Sequence, residues 1–262
     1  MTGRQIQANH RRPFDAIIFD LGYTLIYFEG KGEEIYWQAN EELCSYLQKT
    51  GLPLERERFL QEFKARMDHY FHERDSEFIE HTTAYVLHSL LTEYGFDKIT
   101  DDLIESALKI RYGVSQEYWK TEEETHNLLS FLRSEGYKLG IISNAGDDGD
   151  VQTLIDRAGI REYFDYITTS AAQGIRKPNP RIFKTALENL GTEPAKAAMV
   201  GDTLGADILG AHNIGMYAIW ITRRQDRAAN MAHLDTIIPD ATIESLDQLP
   251  EVLEKLKINR QS

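Results

Sequence analysis

Four short segments of the 262-residue chain carry the side chains best suited to chemistry. The first is Asp20-Leu21-Gly22-Tyr23-Thr24, where an apolar run, Ala16 to Phe19, ends at a lone carboxylate. The second is Ser143-Asn144, directly after the run KLGII. The third is Lys177 within GIRKPNPRIF, and the fourth is MVGDTLGADILGA, which holds Asp202 and Asp207. Taken singly, each has a plain structural reading: Ser143 as a turn residue, Lys177 as a solvated loop lysine, Asp207 as a helix cap. Asp20 is harder to dismiss, because an unpaired carboxylate at a buried strand end is costly unless a ligand uses it. Four such segments in this order, each expected to end a strand, favour one shared site.

The elements that position these residues follow from hydrophobic spacing. Residues 32–119 read as helical. Ile35, Ala39, Leu43 and Leu47 recur every four residues, with Gly51 as the C-terminal stop. Phe59, Phe63, Met67 and Phe71 repeat that spacing, and Ala84, Leu87, Leu91 and Tyr94 mark a third helix ending at Gly95. Thr100 caps a fourth, which carries Leu103, Ala107 and Ile110. Beyond residue 125, short apolar runs alternate with helical patterns. The runs are Leu139–Ile142, Tyr166–Thr168, Ala197–Val200 and Tyr217–Ile221; the helices include Val151–Ala158 and Ile182–Leu190. Continuous apolar strands alternating with helices predict an α/β fold, a doubly wound parallel sheet covered on both faces. Ile17–Phe19 belongs with these strands, so the helical block is an insert after the first strand. Ligands of such sheets bind outside the carboxyl ends of the strands, where all four segments lie. The expected organisation is a lead-in over residues 1–13, a core over 14–26 and 121–262, and a helical cap domain over 27–120.

Composition narrows the function. A formal net charge of −13 speaks against binding nucleic acid or an anionic membrane, since both attract basic surfaces. No apolar run approaches the roughly 18 residues that span a bilayer. A single cysteine, Cys44, excludes an intrachain disulfide and suits a reducing compartment. A cytoplasmic protein is expected; its oligomeric state is not written in the sequence.

From residue 14 to about 250, the chain resembles the haloacid dehalogenase-like (HAD) hydrolases. The resemblance rests on DLGYT, ISN, RKPNPRIF and VGDTLGADILGA, followed by GMYAIWI. The helical insert resembles the C1-type cap of subfamily I. The resemblance implies a phosphatase of a small phosphorylated substrate. Asp20 would be the nucleophile that forms an aspartyl phosphate. Ser143, Asn144 and Lys177 would hold phosphoryl oxygens. Mg²⁺ would be bound by Asp20, the backbone carbonyl of Gly22, Asp202 and Asp207, an all-oxygen set suited to that ion.

One position departs from the family. Its phosphatases usually carry a second aspartate two residues after the nucleophile, as general acid and base, where this chain has Gly22. The metal needs only that residue's carbonyl, so the metal site is expected to survive without the proton shuttle. General acid–base catalysis is worth roughly 10²–10⁴-fold. Tyr23, Tyr27, His81 and His88 are candidate substitutes, and sequence does not choose among them. A phosphate-ligand binder without turnover is the non-enzymatic alternative. Haloacid dehalogenation, which dispenses with both the second aspartate and the metal, is disfavoured by the intact GDTLGAD. Phosphonate cleavage would need a cap lysine, and neither Lys64 nor Lys98 is marked by its context.

Overall fold

The computed structural model describes residues 12–259, apart from the side chains of 72–77 and 259, so most of the expected lead-in lies outside the described residues. The chain begins with β1 (Ala16–Phe19) and β2 (Ile26–Phe28), then four helices, α1 (Gly32–Lys49), α2 (Arg56–Glu77), α3 (Thr83–Glu93) and α4 (Asp101–Gln116). It returns through β3 (Trp119–Thr121), α5 (Thr125–Ser134), β4 (Lys138–Ser143), α6 (Asp148–Arg157), β5 (Tyr166–Thr169) and α7 (Ser170–Gln173). Then come α8 (Pro180–Leu190), β6 (Ala197–Gly201), a π-helical turn over Leu204–Ile208 running into α9 (Leu209–His212), and β7 (Tyr217–Ile221). The chain closes with α10 (Ala228–Met231), β8 (Ala241–Ile243) and α11 (Leu249–Asn259).

Six strands form one sheet in the order β5-β4-β1-β6-β7-β8, with every neighbouring pair parallel. The expected α/β architecture is present. β1 lies between β4 and β6, and its residues are buried on both faces. Ile17 and Phe19 join Leu139, Ile141 and Val200 beneath α5, α6 and α11, while Ala16 and Ile18 join Ile142 and Met199 beneath α8 and α9. This two-sided burial is why the strands read as unbroken apolar runs.

The helices between β2 and β3 enclose a hydrophobic core of their own, built on Leu43, Leu47, Phe59, Phe63, Leu87, Leu91 and Ala107. Thr100 accepts a bond from the Leu103 amide, and Gly51 and Gly95 take left-handed φ of 96° and 86° at the helix ends. Two members of the expected apolar stripes face outward instead, Phe71 at 43% and Ile110 at 41% exposure. A strict four-residue repeat drifts about 40° per step on a helix of 3.6 residues per turn, so Phe71 has rotated out of the stripe begun at Phe59. In α4 the buried face runs through Ile104, Ala107, Leu108, Arg111 and Ser115. The Arg111 guanidinium lies over the Phe63 and Tyr112 rings, and its Nε donates to Asn40 Oδ1 at 2.9 Å.

β2 and β3 pair antiparallel as a stalk, with Phe28 opposite Trp119, so the insert begins and ends in strands rather than in the continuous helical texture expected to residue 119. Segments of three residues are too short to show periodicity, and β8 escaped notice for the same reason. A second seam joins insert and sheet. Arg176 N donates to Phe78 O at 3.0 Å, Glu80 N to Gly174 O at 3.1 Å, and Thr83 N to Gly146 O at 2.8 Å. The buried Glu80 carboxylate fastens this seam, accepting from Tyr70 and from Ser170 Oγ (2.7 Å) and pairing with Arg176 at 3.3 Å. No helix among the described residues is long and apolar enough to cross a membrane.

Leu87 is fully buried at the centre of the insert's core. Leu87→Ala is expected to lower stability by about 2–5 kcal/mol, read as a reduced urea midpoint at unchanged slope.

Candidate active site

Asp20, Ser143 and Asp202 stand at the carboxyl ends of β1, β4 and β6, whereas Lys177, expected like them to end a strand, reaches the same point from the loop after α7, because that helix intervenes after β5. The Lys177 ammonium donates to Asp20 Oδ1 at 2.6 Å, Asp207 Oδ1 at 2.7 Å and the Ile142 carbonyl at 2.7 Å. Asn144 fixes the lysine from behind: its Oδ1 accepts the Lys177 amide at 2.8 Å and its Nδ2 donates to the Lys177 carbonyl at 3.0 Å. The Asn144 side chain is thus committed to the backbone of Lys177. Ser143 is buried and lines the same cavity.

Asp202 and Asp207 come from the loop and π-helical turn after β6. Asp207 Oδ1 takes the lysine, and its Oδ2 accepts the Thr203 amide at 3.0 Å. This close packing requires glycine at 201, where a Cβ would lie 2.3 Å from the Asp207 carboxyl carbon. Arg227 pairs with Asp202 Oδ2, and the Asp202 carbonyl accepts from Trp220 Nε1 (2.9 Å) and Asn230 Nδ2 (3.0 Å). Asp20, Asp202 and Asp207 each present an oxygen within 4.8 Å of the others. Three converging carboxylate oxygens fit a hard divalent cation. Burial pushes Asp20 up to about 7; Lys177 opposes that rise, and Asp207 and Asp202 add to it. Burial also works against the Lys177 ammonium, but Asp20 and Asp207 outweigh it and hold its pKa above the ordinary lysine value.

These groups line a cavity of ≈ 490 Å³ that also reaches Gly22, Tyr23, Phe78, Trp119, Asp150, Leu154 and Arg227. Gly22 itself has no positive φ; the left-handed residue is Tyr23, at φ 63°. That conformation is unusual for an aromatic residue. It is held by the Arg227 guanidinium, 4.0 Å over the Tyr23 ring, and by a 2.5 Å bond from Tyr23 N to Ile26 O. A Cβ at Gly22 would meet the Trp119 ring at 3.4 Å.

The sequence profile of the haloacid dehalogenase-like hydrolases matches residues 17–221. The chain belongs to this family. It is 31% identical over 239 residues to the glyceraldehyde 3-phosphate phosphatase of Methanothermobacter thermautotrophicus, covering 91% of this chain and 99% of that one. Among solved structures, a HAD phosphatase from Thermococcus onnurineus superposes with a TM-score of 0.60 at 27% identity, covering 91% of this chain and 97% of that one. A 2-haloacid dehalogenase from Pseudomonas syringae superposes with a TM-score of 0.65 at 26% identity, covering 92% and 99%.

Of Tyr23, Tyr27, His81 and His88, the side chains expected from the sequence as candidate proton carriers, only Tyr23 lines the cavity of this hydrolase. Tyr27 lies under Arg224, His81 stacks on Tyr85, and His88 lies on α3 beside Thr92. A carboxylate outside the four motifs does line it: Asp150, in the first turn of α6. Its Oδ1 accepts from Gln116 Nε2, at the end of α4, at 2.8 Å. The string Asp147-Asp148-Gly149-Asp150 reads as a helix start, and Asp147 does cap α6 by accepting the Asp150 amide at 2.8 Å. Which of these acids turns inward depends on packing against α4, a contact without local signature. Burial raises Asp150 to about 7, with Asp147 adding to the rise and Gln116 and Arg111 opposing it.

A carboxyl group raised from 3.8 to about 7 on folding favours the native state below pH 4, and that contribution is lost as pH climbs through 7. Asp150→Asn, which keeps an acceptor for Gln116, is therefore expected to be more stable than the parent at pH 8, by an amount of the order of 1–4 kcal/mol. The gain should shrink toward pH 4 in parallel thermal melts.

Proposed function

We propose that this chain is a Mg²⁺-dependent phosphatase of small phosphorylated molecules, working through an aspartyl phosphate on Asp20. The observation that carries this reading is the trio of carboxylates, Asp20, Asp202 and Asp207, whose oxygens lie within 4.8 Å of one another around the Lys177 ammonium. The phosphatases among its relatives support it, and the glyceraldehyde 3-phosphate phosphatase points to short phosphorylated carbon chains as the first substrates to try.

In this reading residues 27–120 form a cap over the site. Asp20 attacks phosphorus with one carboxylate oxygen, while the ester bond to the leaving group breaks in line with the attack. Lys177 and Ser143 hold the transferring oxygens, and Asn144 positions Lys177 through both of its backbone groups. Asp20, the Gly22 carbonyl and Asp202 hold the ion, and Asp207 supports it while anchoring the lysine. When bound, Mg²⁺ neutralises the charge that gathers on the phosphoryl oxygens, the main demand of this chemistry. Water then attacks the aspartyl phosphate, releasing phosphate and restoring Asp20.

Purified protein is expected to hydrolyse p-nitrophenyl phosphate only with Mg²⁺ present, to lose turnover in excess chelator, and to regain it on readdition. Asp20→Asn should reduce turnover at least about 10³-fold, as loss of a nucleophile does in other enzymes. Gly22 and the dehalogenase relative favour one second reading, haloacid dehalogenation, in which the aspartate displaces halide instead. Chloride release from a 2-chloro acid that persists in excess chelator would select it over the phosphatase.

A further inference from the structure

The proton chemistry that Gly22 cannot perform has a second candidate in the same cavity. Trp119 leans its ring toward Gly22, at 3.4 Å from where a Cβ would stand. Three residues earlier on the same segment, Gln116 holds Asp150 by one carboxylate oxygen at 2.8 Å. Val151 and Leu154, which follow Asp150 on α6, join Leu21, Leu25 and Ile26 in one apolar cluster against which Trp119 packs. Asp150, at the start of that helix, lines the same cavity as Gly22, Trp119 and Asp20. Its other carboxylate oxygen accepts no hydrogen bond among the described residues, and the residue borders the cavity that contains Asp20.

Resting on the phosphatase reading above, we infer that Asp150 takes the place of the missing second aspartate as general acid and base. As Asp20 attacks and the phosphorus–oxygen ester bond breaks, the protonated Asp150 carboxyl transfers its proton to the departing oxygen, which leaves as an alcohol. The Asp150 carboxylate then accepts a proton from the water that attacks the aspartyl phosphate. Breaking the phosphorus–Asp20 bond releases phosphate, with Asp20 ionised and Asp150 protonated once more.

Its surroundings suit this cycle. Asp147 and Asp148 lie on its own helix start, Arg111, Tyr112 and Gln116 face it from α4, and Tyr36 from α1. The rise of Asp150 to about 7 leaves both protonation states accessible near neutral pH, where a catalytic acid–base group works best.

The experiment compares p-nitrophenyl phosphate, whose leaving group needs little protonation, with phenyl phosphate, whose leaving group is more basic. Both are assayed with Mg²⁺ on the whole protein. Asp150→Asn is expected to lower kcat/KM for phenyl phosphate by roughly 10²-fold, the lower end of the acid–base range, and for p-nitrophenyl phosphate by less than about 10-fold. The basic limb of the phenyl phosphate pH profile should flatten in the variant. Adding Gly22→Asp to Asp150→Asn should restore phenyl phosphate turnover, a rescue that a merely structural role would not allow. Equal losses on both esters, no loss, or an unchanged pH profile in a folded variant would overturn the assignment while leaving the phosphatase reading intact. A parent protein that hydrolyses neither ester with Mg²⁺ would overturn both.

Discussion

The ammonium of Lys177 sits between the carboxylates of Asp20 and Asp207 with almost no water around it, and much of the surrounding architecture keeps it there. Side-chain exposure is 1% for Lys177 and Asp207 and 12% for Asp20, so none of these charges can rely on solvent. Stranding one partner of such a buried pair typically costs about 3–5 kcal/mol. Asn144 clamps the lysine backbone, the Ile142 carbonyl takes its third proton, and Gly201 makes room for Asp207. The Thr203 amide satisfies the oxygen of Asp207 that the lysine does not reach. The charged centre and the strand ends that bear it form one packing unit.

Much of this was legible in the sequence because it depends on local pattern. Strands buried on both faces announce themselves as unbroken apolar runs, and Asp20, Ser143 and Asp202 lie directly after such runs. Positions set by pairing across the chain were not legible. The stalk strands owe their existence to each other, and Phe71 turns outward through the slow rotation of a helix under an idealised repeat. Asp150 is the sharpest case. Nothing separates it from Asp147 or Asp148 until α4 brings Gln116 against it.

The turn after Asp20 puts its unusual backbone step beside the glycine rather than on it. Glycine at 22 is not demanded by its own backbone; the left-handed step falls on Tyr23, where a side chain ordinarily makes it unfavourable. Arg227 lies on the Tyr23 ring and bonds Asp202, so one guanidinium steadies the turn and one of the acidic residues. A Cβ at 22 would stand 3.4 Å from the Trp119 indole, in ordinary contact, so the stalk and the first motif are packing neighbours.

The seam over Phe78 to Thr83 bears on how the insert can move against the sheet. A lobe joined to a sheet by two crossings alone can swing about them; here three backbone hydrogen bonds and the buried Glu80 carboxylate fasten a further point of its rim. Each backbone bond contributes about 0.5–1.5 kcal/mol net, and freeing Glu80 would expose a charge whose partners come from both sides of the seam. Lifting the lobe at this point would break all of these contacts together.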